Sequence, residues 1–335
     1  MTLRIAINGF GRIGRNVLRA LNEHPREDMQ IVAINDLAPA KSLAHLLKFD
    51  SVHGRFPGEI SATENSIDIG YGPIRVTAER DPANLPWAEE KIDIVMECTG
   101  FFRDAESAGK HLKAGAKKVL ISAPGKGGVK TVVYGVNHDI ITGSDDILSN
   151  ASCTTNCLAP LAKVIDDEFG IESGFMTTIH AYTGDQPTLD AVHSDAYRGR
   201  AAALSMIPTT TGAAKALSLV LPQLEGKIDG VAIRVPTPNV SCVDLTVNLS
   251  KDVTVESVNA ALSKAANGAL DGILNASNEA MVSIDINHDP HSSTAMLNQT
   301  YVNQKRLVRV MSWYDNEWGF SNRMLDTAAI MGSFL

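Results

Sequence analysis

Short apolar runs alternate with amphipathic segments along the first half of the chain. The runs of strand length are Leu3–Ile7, Ile31–Asn35, Asp93–Cys98, Lys118–Ser122 and Thr131–Tyr134. Amphipathic or alanine-rich segments separate several of them, and this alternation is typical of βαβ units in a parallel sheet. The pattern predicts an α/β protein whose N-terminal part is a doubly wound parallel sheet.

The pattern changes after about Asn150. Longer strands with alternating polarity follow, such as Ser241–Ser250 and Leu307–Tyr314. A helix is predicted between Thr254, which is a suitable N-cap, and Gly268, which is a suitable stop. The second half is therefore predicted to be an α+β domain on an antiparallel sheet.

The composition is that of a folded protein of enzyme size. The 335 residues are 44% hydrophobic and 20% charged, enough for about two domains. A net charge of −8 gives no general attraction to polyanions, so a primary nucleic-acid partner is not expected. No apolar stretch reaches the roughly 18 residues of a membrane span, and the N-terminus lacks a signal-peptide pattern. We therefore expect a cytoplasmic protein without a membrane partner.

A glycine-rich turn follows the first predicted strand. Gly9, Gly11 and Gly14 form G-x-G-x-x-G, and a helix is predicted over Ile13–Glu23. Such a turn lets the backbone approach a pyrophosphate, while the helix N-terminus supplies amide donors. Asp36 ends the second strand about 20 residues later, where an acid can bind ribose hydroxyls and repel the 2′-phosphate of NADP. The motif predicts a Rossmann-type domain that binds NAD, although a plain glycine turn beside a solvated aspartate is the simpler alternative.

The cysteines point to reactivity rather than to a metal or disulfide framework. Four are present, and none has CxxC spacing. The segment SNASCTTNCLAP places Cys153 near the start of a helix that reaches about Glu168. Amide donors and the dipole at a helix N-terminus favour the thiolate, so Cys153 is predicted to be a nucleophile with a lowered pKa. Cys157, Cys98 and Cys242 are expected to be packing residues.

A base for Cys153 has to come from nine histidines. His180 ends an alternating strand and begins a long irregular segment that reaches about Arg200. Long ordered loops are usually functional, which favours a catalytic His180, although a structural role for a strand histidine stays open. A metal pair at His288 and His291 is a weaker alternative because Pro290 between them favours a turn, so no metal is expected.

Further features suggest anion binding. Thr209–Gly212 precedes a predicted helix, and a helix N-terminus can bind phosphate. Arg198 lies in the long loop. Arg234 lies in the predicted strand Gly230–Pro236, where an isolated charge is costly unless an anion or an acid pairs with it. Each arginine could form a structural ion pair instead, but together they predict a phosphorylated substrate.

The order of these motifs is similar to that of a known enzyme family. The chain resembles phosphorylating glyceraldehyde-3-phosphate dehydrogenases over essentially its whole length, through INGFGRIGR, AIND, SNASCTTNCLAP, TTIHAYT, PTTTGAAKA, AIRVPTPNVS and SWYDNEWGFSNR. The resemblance implies oxidation of D-glyceraldehyde 3-phosphate with NAD and inorganic phosphate to 1,3-bisphosphoglycerate, through a cysteine thioester. It also implies a homotetramer with an NAD-binding Rossmann domain over 1–152, a catalytic domain over 153–316 and a C-terminal helix over 317–335.

The resemblance assigns a role to each matching residue. It makes Cys153 the nucleophile and His180 the base. The residues implied to bind the substrate phosphate and inorganic phosphate are Ser152, Thr154, Thr183, Arg198, Thr211, Gly212 and Arg234. Those implied to bind the dinucleotide are Gly9, Gly11, Arg12, Ile13, Gly14, Asp36, Arg80, Ser122 and Asn316, with the Asn316 amide orienting the nicotinamide.

A sister family, erythrose-4-phosphate dehydrogenase, is an alternative with the same cysteine and histidine. Asn287–His291 and Arg323–Thr327 look like that sister family. Asp36, Tyr182–Thr183 and Thr210–Gly212 follow the triose family instead. Because altered anion sites affect substrate choice more than a remote turn does, the triose phosphate is the favoured substrate.

Two departures from the family pattern bear on the cofactor. Phe320 replaces a frequent tyrosine, and Ala191 and Val192 differ from many NAD-specific members, so the choice of NAD rests mainly on Asp36. A different kind of function is an RNA-binding or protein-binding role of the NAD cleft, which the acidic charge balance and the lack of a basic cluster disfavour.

Overall fold

The computed structural model of the chain describes residues 2–335, which form two units, each with one large β-sheet. The first unit comprises the described residues up to Tyr134, together with His138–Ala151 and Ser321–Leu335. The second unit comprises Gly135–Asn137 and Ser152–Phe320.

The helices and short 3-10 turns are distributed over both units. The α-helices are α1 (Arg12–Glu23), α2 (Ala40–Lys48), α3 (Ala105–Lys113), α4 (Cys153–Phe169), α5 (Ala213–Val220), α6 (Val255–Ala266) and α7 (Trp318–Gly332). The 3-10 turns are Pro82–Asn84, His138–Ile140, Pro222–Leu224, Ser283–Ile286 and Leu297–Gln299. In the part of the chain that the structure describes, no helix is both long and apolar enough to cross a membrane.

The sheet of the first unit is mostly parallel, as predicted. The strands of this unit are β1 (Leu3–Asn8), β2 (Met29–Asn35), β3 (Phe49–Asp50), β4 (Gly54–Arg55), β5 (Ser61–Ala62), β6 (Ser66–Asp68), β7 (Pro73–Thr77), β8 (Ile94–Glu97), β9 (Lys118–Ile121), β10 (Lys130–Thr131) and β11 (Ile147–Ser149). Their order is β10-β11-β9-β8-β1-β2-β7-β6-β5, and the pairs from β10 to β7 are parallel. Every residue of β8 and β9 is buried, as expected for strands that are covered on both faces.

Two details of this sheet differ from the sequence-based expectation. The strand predicted at Thr131–Tyr134 is only Lys130–Thr131, although Val132 and Val133 are buried and the N–H of Val132 still donates to the carbonyl oxygen of Ser149 at the end of β11. Strands β5, β6 and β7 were not predicted, and they add an antiparallel edge. The turn between β6 and β7 depends on Asp68, whose carboxylate accepts the N–H groups of two nearby glycines.

The sheet of the second unit is mixed rather than purely antiparallel. Its strands are β12 (Ile171–Ala181), β13 (Ile207–Thr210), β14 (Ile228–Val235), β15 (Ser241–Leu249), β16 (Leu274–Ser277), β17 (Ser293–Met296), β18 (Tyr301–Asn303) and β19 (Leu307–Tyr314). Their order is β13-β14-β12-β15-β19-β17-β16, with β18 beside β19. Most pairs are antiparallel as predicted, but β12 with β14 and β16 with β17 are parallel.

One face of this sheet packs against helices. Helix α4 contacts β12, β15, β17 and β19. Helix α6 confirms its predicted start, since the Thr254 hydroxyl caps it by accepting the N–H of Ser257, but it ends at Ala266, before Gly268. The other face keeps apolar side chains exposed, among them Phe175, Ile179 and Val231.

Candidate active site

A cavity of about 380 Å³ opens at the carboxyl ends of β1 and β2 in the first unit. It is lined by Asn8, Gly9, Gly11, Asn35, Asp36, Leu37, Glu79, Arg80, Cys98, Thr99, Phe101 and Phe102. Ligands of open parallel sheets bind at this edge. The structure thus brings four of the implied dinucleotide ligands, Gly9, Gly11, Asp36 and Arg80, into one cavity.

The glycines of the turn leave room for a dinucleotide. Gly9 has φ +91°, and a Cβ there would lie 2.7 Å from the backbone nitrogen of Thr99. A Cβ on Gly14 would lie 2.2 Å from the carbonyl oxygen of Gly9. Above Gly11, by contrast, no atom lies within 4 Å of the Cβ position. The turn is therefore closed on the protein side and open on the ligand side, which fits the pyrophosphate of NAD.

Charged side chains flank this turn. The Asp36 carboxylate accepts the N–H of Phe10 at 2.8 Å and that of Ala38 at 3.0 Å, which fixes its orientation and leaves lone pairs for ribose hydroxyls. Arg12 and Ile13 are the first residues of α1, and the guanidinium of Arg12 pairs with Asp50. Burial alone would raise the pKa of Asp50, but hydrogen bonds from Arg12 and from two backbone N–H groups hold it well below its usual range.

A buried hydrogen-bond network that the sequence did not indicate lies beside the cavity. The fully buried Glu97 carboxylate accepts from Asn8 Nδ2 at 2.6 Å and contacts His111 Nε2 at 3.0 Å. Because Trp87 Nε1 donates to His111 Nδ1 at 2.9 Å, the proton of this imidazole is on Nε2. Asn8 Oδ1 in turn accepts from Asn35. The network links the carboxyl ends of β8, β1 and β2.

Five implied dinucleotide ligands lie outside the lining of this cavity, namely Arg12, Ile13 and Gly14, which belong to α1, and Ser122 and Asn316. Ser122 follows β9 directly, and its N–H donates to the carbonyl oxygen of Glu97 at 2.9 Å. Asn316 belongs to the second unit, where it follows β19 and its Oδ1 accepts from Ser241 Oγ at 2.8 Å.

The second unit brings the predicted nucleophile and base together. Cys153 is the first residue of α4, and the Ser152 hydroxyl caps this helix by accepting the N–H of Thr155 at 3.1 Å. Cys153 is half-buried, and its Sγ lies 3.5 Å from Nε2 of His180, near the end of β12. His180 is 4% exposed, so its ring is held in one place.

The surroundings of His180 fix which ring nitrogen carries the proton. Nδ1 lies 2.7 Å from the carbonyl oxygen of Ala181, and Arg234 Nη1 donates to the same oxygen at 3.0 Å. Arg234 Nη1 also lies 2.9 Å from Nδ1, where it could donate only to an unprotonated nitrogen. Because the contact with the carbonyl is shorter, and because Arg234 can donate to that carbonyl instead, we assign the proton of the neutral imidazole to Nδ1. The lone pair of Nε2 then faces Cys153 Sγ, where it can take a proton.

Burial opposes a charge on either group. Burial and the nearby charge of Arg234 lower the pKa of His180 to about 3. Burial also raises the pKa of Cys153, although Arg234 and hydrogen bonds from Thr154 act in the opposite direction. The prediction that this thiol has a lowered pKa is therefore wrong. For the other thiols, burial raises the pKa to about 12 at Cys98, Cys157 and Cys242.

The two predicted arginines have different environments. Arg198 pairs with Asp185 and Asp195 and donates to the carbonyl oxygen of Thr210 at 3.2 Å, so its structural alternative holds in this state. Arg234 has no ion-pair partner within residues 2–335, and its buried Nε lacks a hydrogen-bond partner there. A half-buried guanidinium whose Nε is buried without an acid is the expected basis of an anion site.

The long loop connects further implied phosphate ligands. The N–H of Thr183 donates to Gln186 Oε1 at 3.0 Å, and Gln186 Nε2 donates to Asp185 at 3.0 Å. Asp185 holds Arg198, as described above. A continuous set of hydrogen bonds thus links Thr183 with Arg198.

The start of α5 can also supply backbone amide donors for an anion. The Thr211 hydroxyl accepts the N–H of Ala213 at 3.2 Å, and Gly212 is the N-cap residue, which has no capping side chain. The first turn of α5 therefore retains backbone donors for an anion.

Tyr314 is a site residue that sequence reasoning missed. Its buried hydroxyl lies 2.9 Å from Thr154 Oγ1 and 2.9 Å from Thr178 Oγ1. Its ring meets the His180 ring edge-on, with centroids 5.9 Å apart. The alternation of β19 indicates that Tyr314 is on the buried face, but only the fold shows which residues lie there.

The histidines considered for a metal have other contacts. The His288 ring stacks on Trp318 with a centroid distance of 3.5 Å. His291 Nδ1 lies 2.6 Å from the Asp289 carboxylate. Across residues 2–335, no group of three or more His, Cys, Asp or Glu residues is arranged to hold a metal ion.

Comparison with known proteins places this geometry in context. Residues 3–105 match the family described as "Glyceraldehyde 3-phosphate dehydrogenase, NAD binding domain", and residues 152–316 match "Glyceraldehyde 3-phosphate dehydrogenase, C-terminal domain". The chain is 62% identical over 335 residues to the glyceraldehyde-3-phosphate dehydrogenase of Cereibacter sphaeroides, with 100% of both chains covered. It is 61% identical over 332 residues to that of Xanthobacter flavus and 56% over 334 residues to that of Geobacillus stearothermophilus, with 99% of each chain covered.

Proposed function

The chain belongs to the glyceraldehyde-3-phosphate dehydrogenase family, and on that premise we propose that it oxidises D-glyceraldehyde 3-phosphate with inorganic phosphate to 1,3-bisphosphoglycerate. It is an oxidoreductase, and NAD is its cofactor. The observation that carries the proposal is the 3.5 Å contact between Cys153 Sγ and His180 Nε2, beside a half-buried Arg234 that has no acid partner within residues 2–335.

The geometry supports a role for each group in the first chemical step. Cys153 Sγ adds to the aldehyde carbon while His180 Nε2 accepts the thiol proton and passes it to the oxygen, which gives a hemithioacetal. His180 then takes the proton of that hydroxyl as the hydride leaves the carbon. When bound, NAD supplies the acceptor for this hydride. The product on the enzyme is a thioester of Cys153.

Phosphate recognition is the second part of the proposal. The buried Nε of Arg234 lacks a hydrogen-bond partner within residues 2–335, and the N-cap of α5 has no capping side chain, so both places can pair with an anion. We assign Ser152, Thr154, Thr183, Arg198, Thr211, Gly212 and Arg234 to the substrate phosphate and to the inorganic phosphate that attacks the thioester. Arg198 is paired with Asp185, so an anion at this guanidinium has to compete with that carboxylate.

Dinucleotide recognition is the third part. The cavity beside Gly9, Gly11 and Asp36 fits the pyrophosphate and ribose by its shape and donors. We assign Arg12, Ile13, Gly14, Arg80 and Ser122 to the same ligand, and the Asn316 amide to the nicotinamide carboxamide.

A homotetramer in the cytoplasm completes the proposal. Its support is the apolar outer face of the second sheet, where Phe175 is 48%, Ile179 38% and Val231 40% exposed. The register pairs Thr177 with Val231, so all three side chains share one face, and such a patch usually marks an interface. Sedimentation should show four chains per particle. A monomer at micromolar concentration would contradict this part.

The substrate is tested by comparing two aldehydes. The three relatives named above carry the triose-phosphate name, so erythrose 4-phosphate is not the favoured substrate. We expect NADH formation from glyceraldehyde 3-phosphate with higher kcat/KM than from erythrose 4-phosphate, and loss of steady turnover when phosphate is omitted. Cys153→Ser should abolish turnover but keep NAD binding. Near-normal turnover of that variant, or a preference for the tetrose, would contradict the assignment.

A further inference from the structure

Building on the proposed function, we propose that Ser241 is a positioning residue that orients the Asn316 amide, so that the nitrogen of this amide is kept for the nicotinamide carboxamide. Ser241 is the first residue of β15 and is 1% exposed. Its Oγ lies 2.8 Å from Asn316 Oδ1 and 3.0 Å from the backbone nitrogen of Ala181. One buried hydroxyl therefore joins a strand backbone to the implied cofactor ligand.

The direction of these hydrogen bonds selects one orientation of the amide. The N–H of Ala181 can only donate, so Ser241 Oγ accepts from it and has a single proton left to give. That proton finds an acceptor when Asn316 Oδ1 faces the hydroxyl. If the amide were flipped, its NH₂ group would face Ser241, and the hydroxyl proton would lose this acceptor in a buried place, which is costly.

The chosen orientation leaves a donor for a ligand. Within residues 2–335 the one hydrogen bond of the Asn316 side chain is the bond from Ser241 to Oδ1. Both protons of Nδ2 are thus available for an acceptor outside the protein, such as the carboxamide oxygen of nicotinamide. Without the Ser241 hydroxyl, the amide loses its preference between two orientations, and the ligand has to select one.

Ala181 links this positioning to the catalytic base. Its N–H donates to Ser241, while its carbonyl oxygen accepts from His180 Nδ1 and from Arg234. A change at Ser241 could therefore act on the base as well as on Asn316. The test has to separate an effect through Asn316 from an effect through His180. It also has to separate both of these from the loss of stability that any change of a buried serine can cause.

Equilibrium binding of NAD, measured by calorimetry without any sugar phosphate, provides the test. Ser241→Thr and Ser241→Val have nearly the same shape but differ in the hydroxyl. We expect Thr to bind NAD within about twofold of the unmodified protein and Val to bind about five- to tenfold more weakly. Ser293→Ala, which removes a buried hydroxyl bonded to Ser312 in the same sheet, is the matched control and should leave the affinity unchanged.

A double-mutant cycle shows whether Ser241 acts through Asn316. Asn316→Ala should weaken NAD binding, and adding Ser241→Ala to it should cost less than a further twofold, because the residue being oriented is gone. In Ser241→Ala alone, KM for NAD should rise more than kcat falls, and alkylation of Cys153 by iodoacetamide should keep its pH profile if His180 is undisturbed.

Several outcomes would overturn the proposal. Equal NAD affinity of the Ser241→Thr and Ser241→Val variants would do so. So would a double variant, Ser241→Ala with Asn316→Ala, whose loss of NAD affinity equals the product of the two single losses. A changed pH profile of Cys153 alkylation in Ser241→Ala would show that the substitution acts through His180 rather than through Asn316. If the variants showed the expected pattern of NAD affinities but the unmodified protein did not oxidise glyceraldehyde 3-phosphate, the proposed function would fail while the positioning role of Ser241 stood.

Discussion

Removing the charge of Asp36 should change the choice between NAD and NADP. The carboxylate is fixed by the N–H groups of Phe10 and Ala38 and lines the cavity together with Arg80. Asp36→Asn keeps the shape and one acceptor oxygen but removes the negative charge. It also gives up one of the two backbone hydrogen bonds, at a cost of about 1 kcal/mol in folding stability.

The magnitude follows from two terms. Hydrogen bonds from ribose hydroxyls to a charged acceptor contribute about 1.5–3 kcal/mol, against about 1 kcal/mol for a neutral one, so NAD binding should lose about 0.5–2 kcal/mol. A 2′-phosphate roughly 4 Å from a carboxylate is repelled by about 1–4 kcal/mol at an effective dielectric constant of about 80 to 20. Because Asp36→Asn removes this repulsion, NADP binding should improve by the same amount. The ratio of kcat/KM for NADP to that for NAD should therefore rise at least about tenfold.

Steady-state rates with both cofactors, at saturating sugar phosphate and phosphate, measure this ratio. Asp68→Asn is the matched control, because Asp68 also accepts two backbone N–H groups in the first unit but lies outside the cavity. Its ratio should equal that of the unmodified protein. The reasoning is refuted if the ratio in Asp36→Asn stays within about threefold of the original, or if Asp68→Asn shifts it as much.

Three further substitutions test other parts of the structure. Gly72→Ala, at a similar φ but in open space, should lower the free energy of unfolding only by the backbone strain of about 1–3 kcal/mol. Gly9→Ala should cost more than this, because its Cβ would clash with Thr99, and should weaken NAD binding. Equal losses in urea unfolding would argue against the steric reason. Thr254→Ala should cost about 1 kcal/mol through the lost cap of α6 and leave turnover intact, and an unchanged urea midpoint would show that the cap is unimportant. His180→Asn should slow the alkylation of Cys153 at pH 7 because the proton acceptor 3.5 Å from Sγ is gone, and an unchanged rate would remove His180 from the activation of the thiol.

Local signals made part of this fold and site predictable. The glycine turn, the cap at Thr254 and the position of Cys153 at a helix start each depend on a few neighbouring residues. Apolar runs such as β8 and β9 were recognisable because every position in them is buried. The short strands β5 and β6 escaped notice, since runs of two or three residues carry no periodicity.

Contacts between distant segments were not predictable in the same way. Tyr314 meets Thr154 across 160 positions, and Ser241 meets Asn316 across 75. Glu97, which is fully buried, reads in the sequence only as the polar end of an apolar run. The partners of such groups are set by strand order and register, and a single sequence does not encode strand order in any local pattern.

The reactive pair shows how burial and proximity act against each other. Burial disfavours a thiolate on Cys153 alone and an imidazolium on His180 alone, so the titrations of the two groups belong to the pair. Moving the proton from Sγ to Nε2 creates opposite charges 3.5 Å apart, whose attraction at an effective dielectric constant of about 20 is about 5 kcal/mol. Arg234, 2.9 Å from Nδ1, favours the thiolate but opposes the imidazolium. An anion bound by Arg234 weakens both effects. Because the guanidinium is 2.9 Å from Nδ1 whereas Sγ lies beyond Nε2, on the opposite side of the ring, its effect on the imidazolium is the larger one. A substrate phosphate at this guanidinium would therefore assist the proton transfer that the attack on its own aldehyde requires.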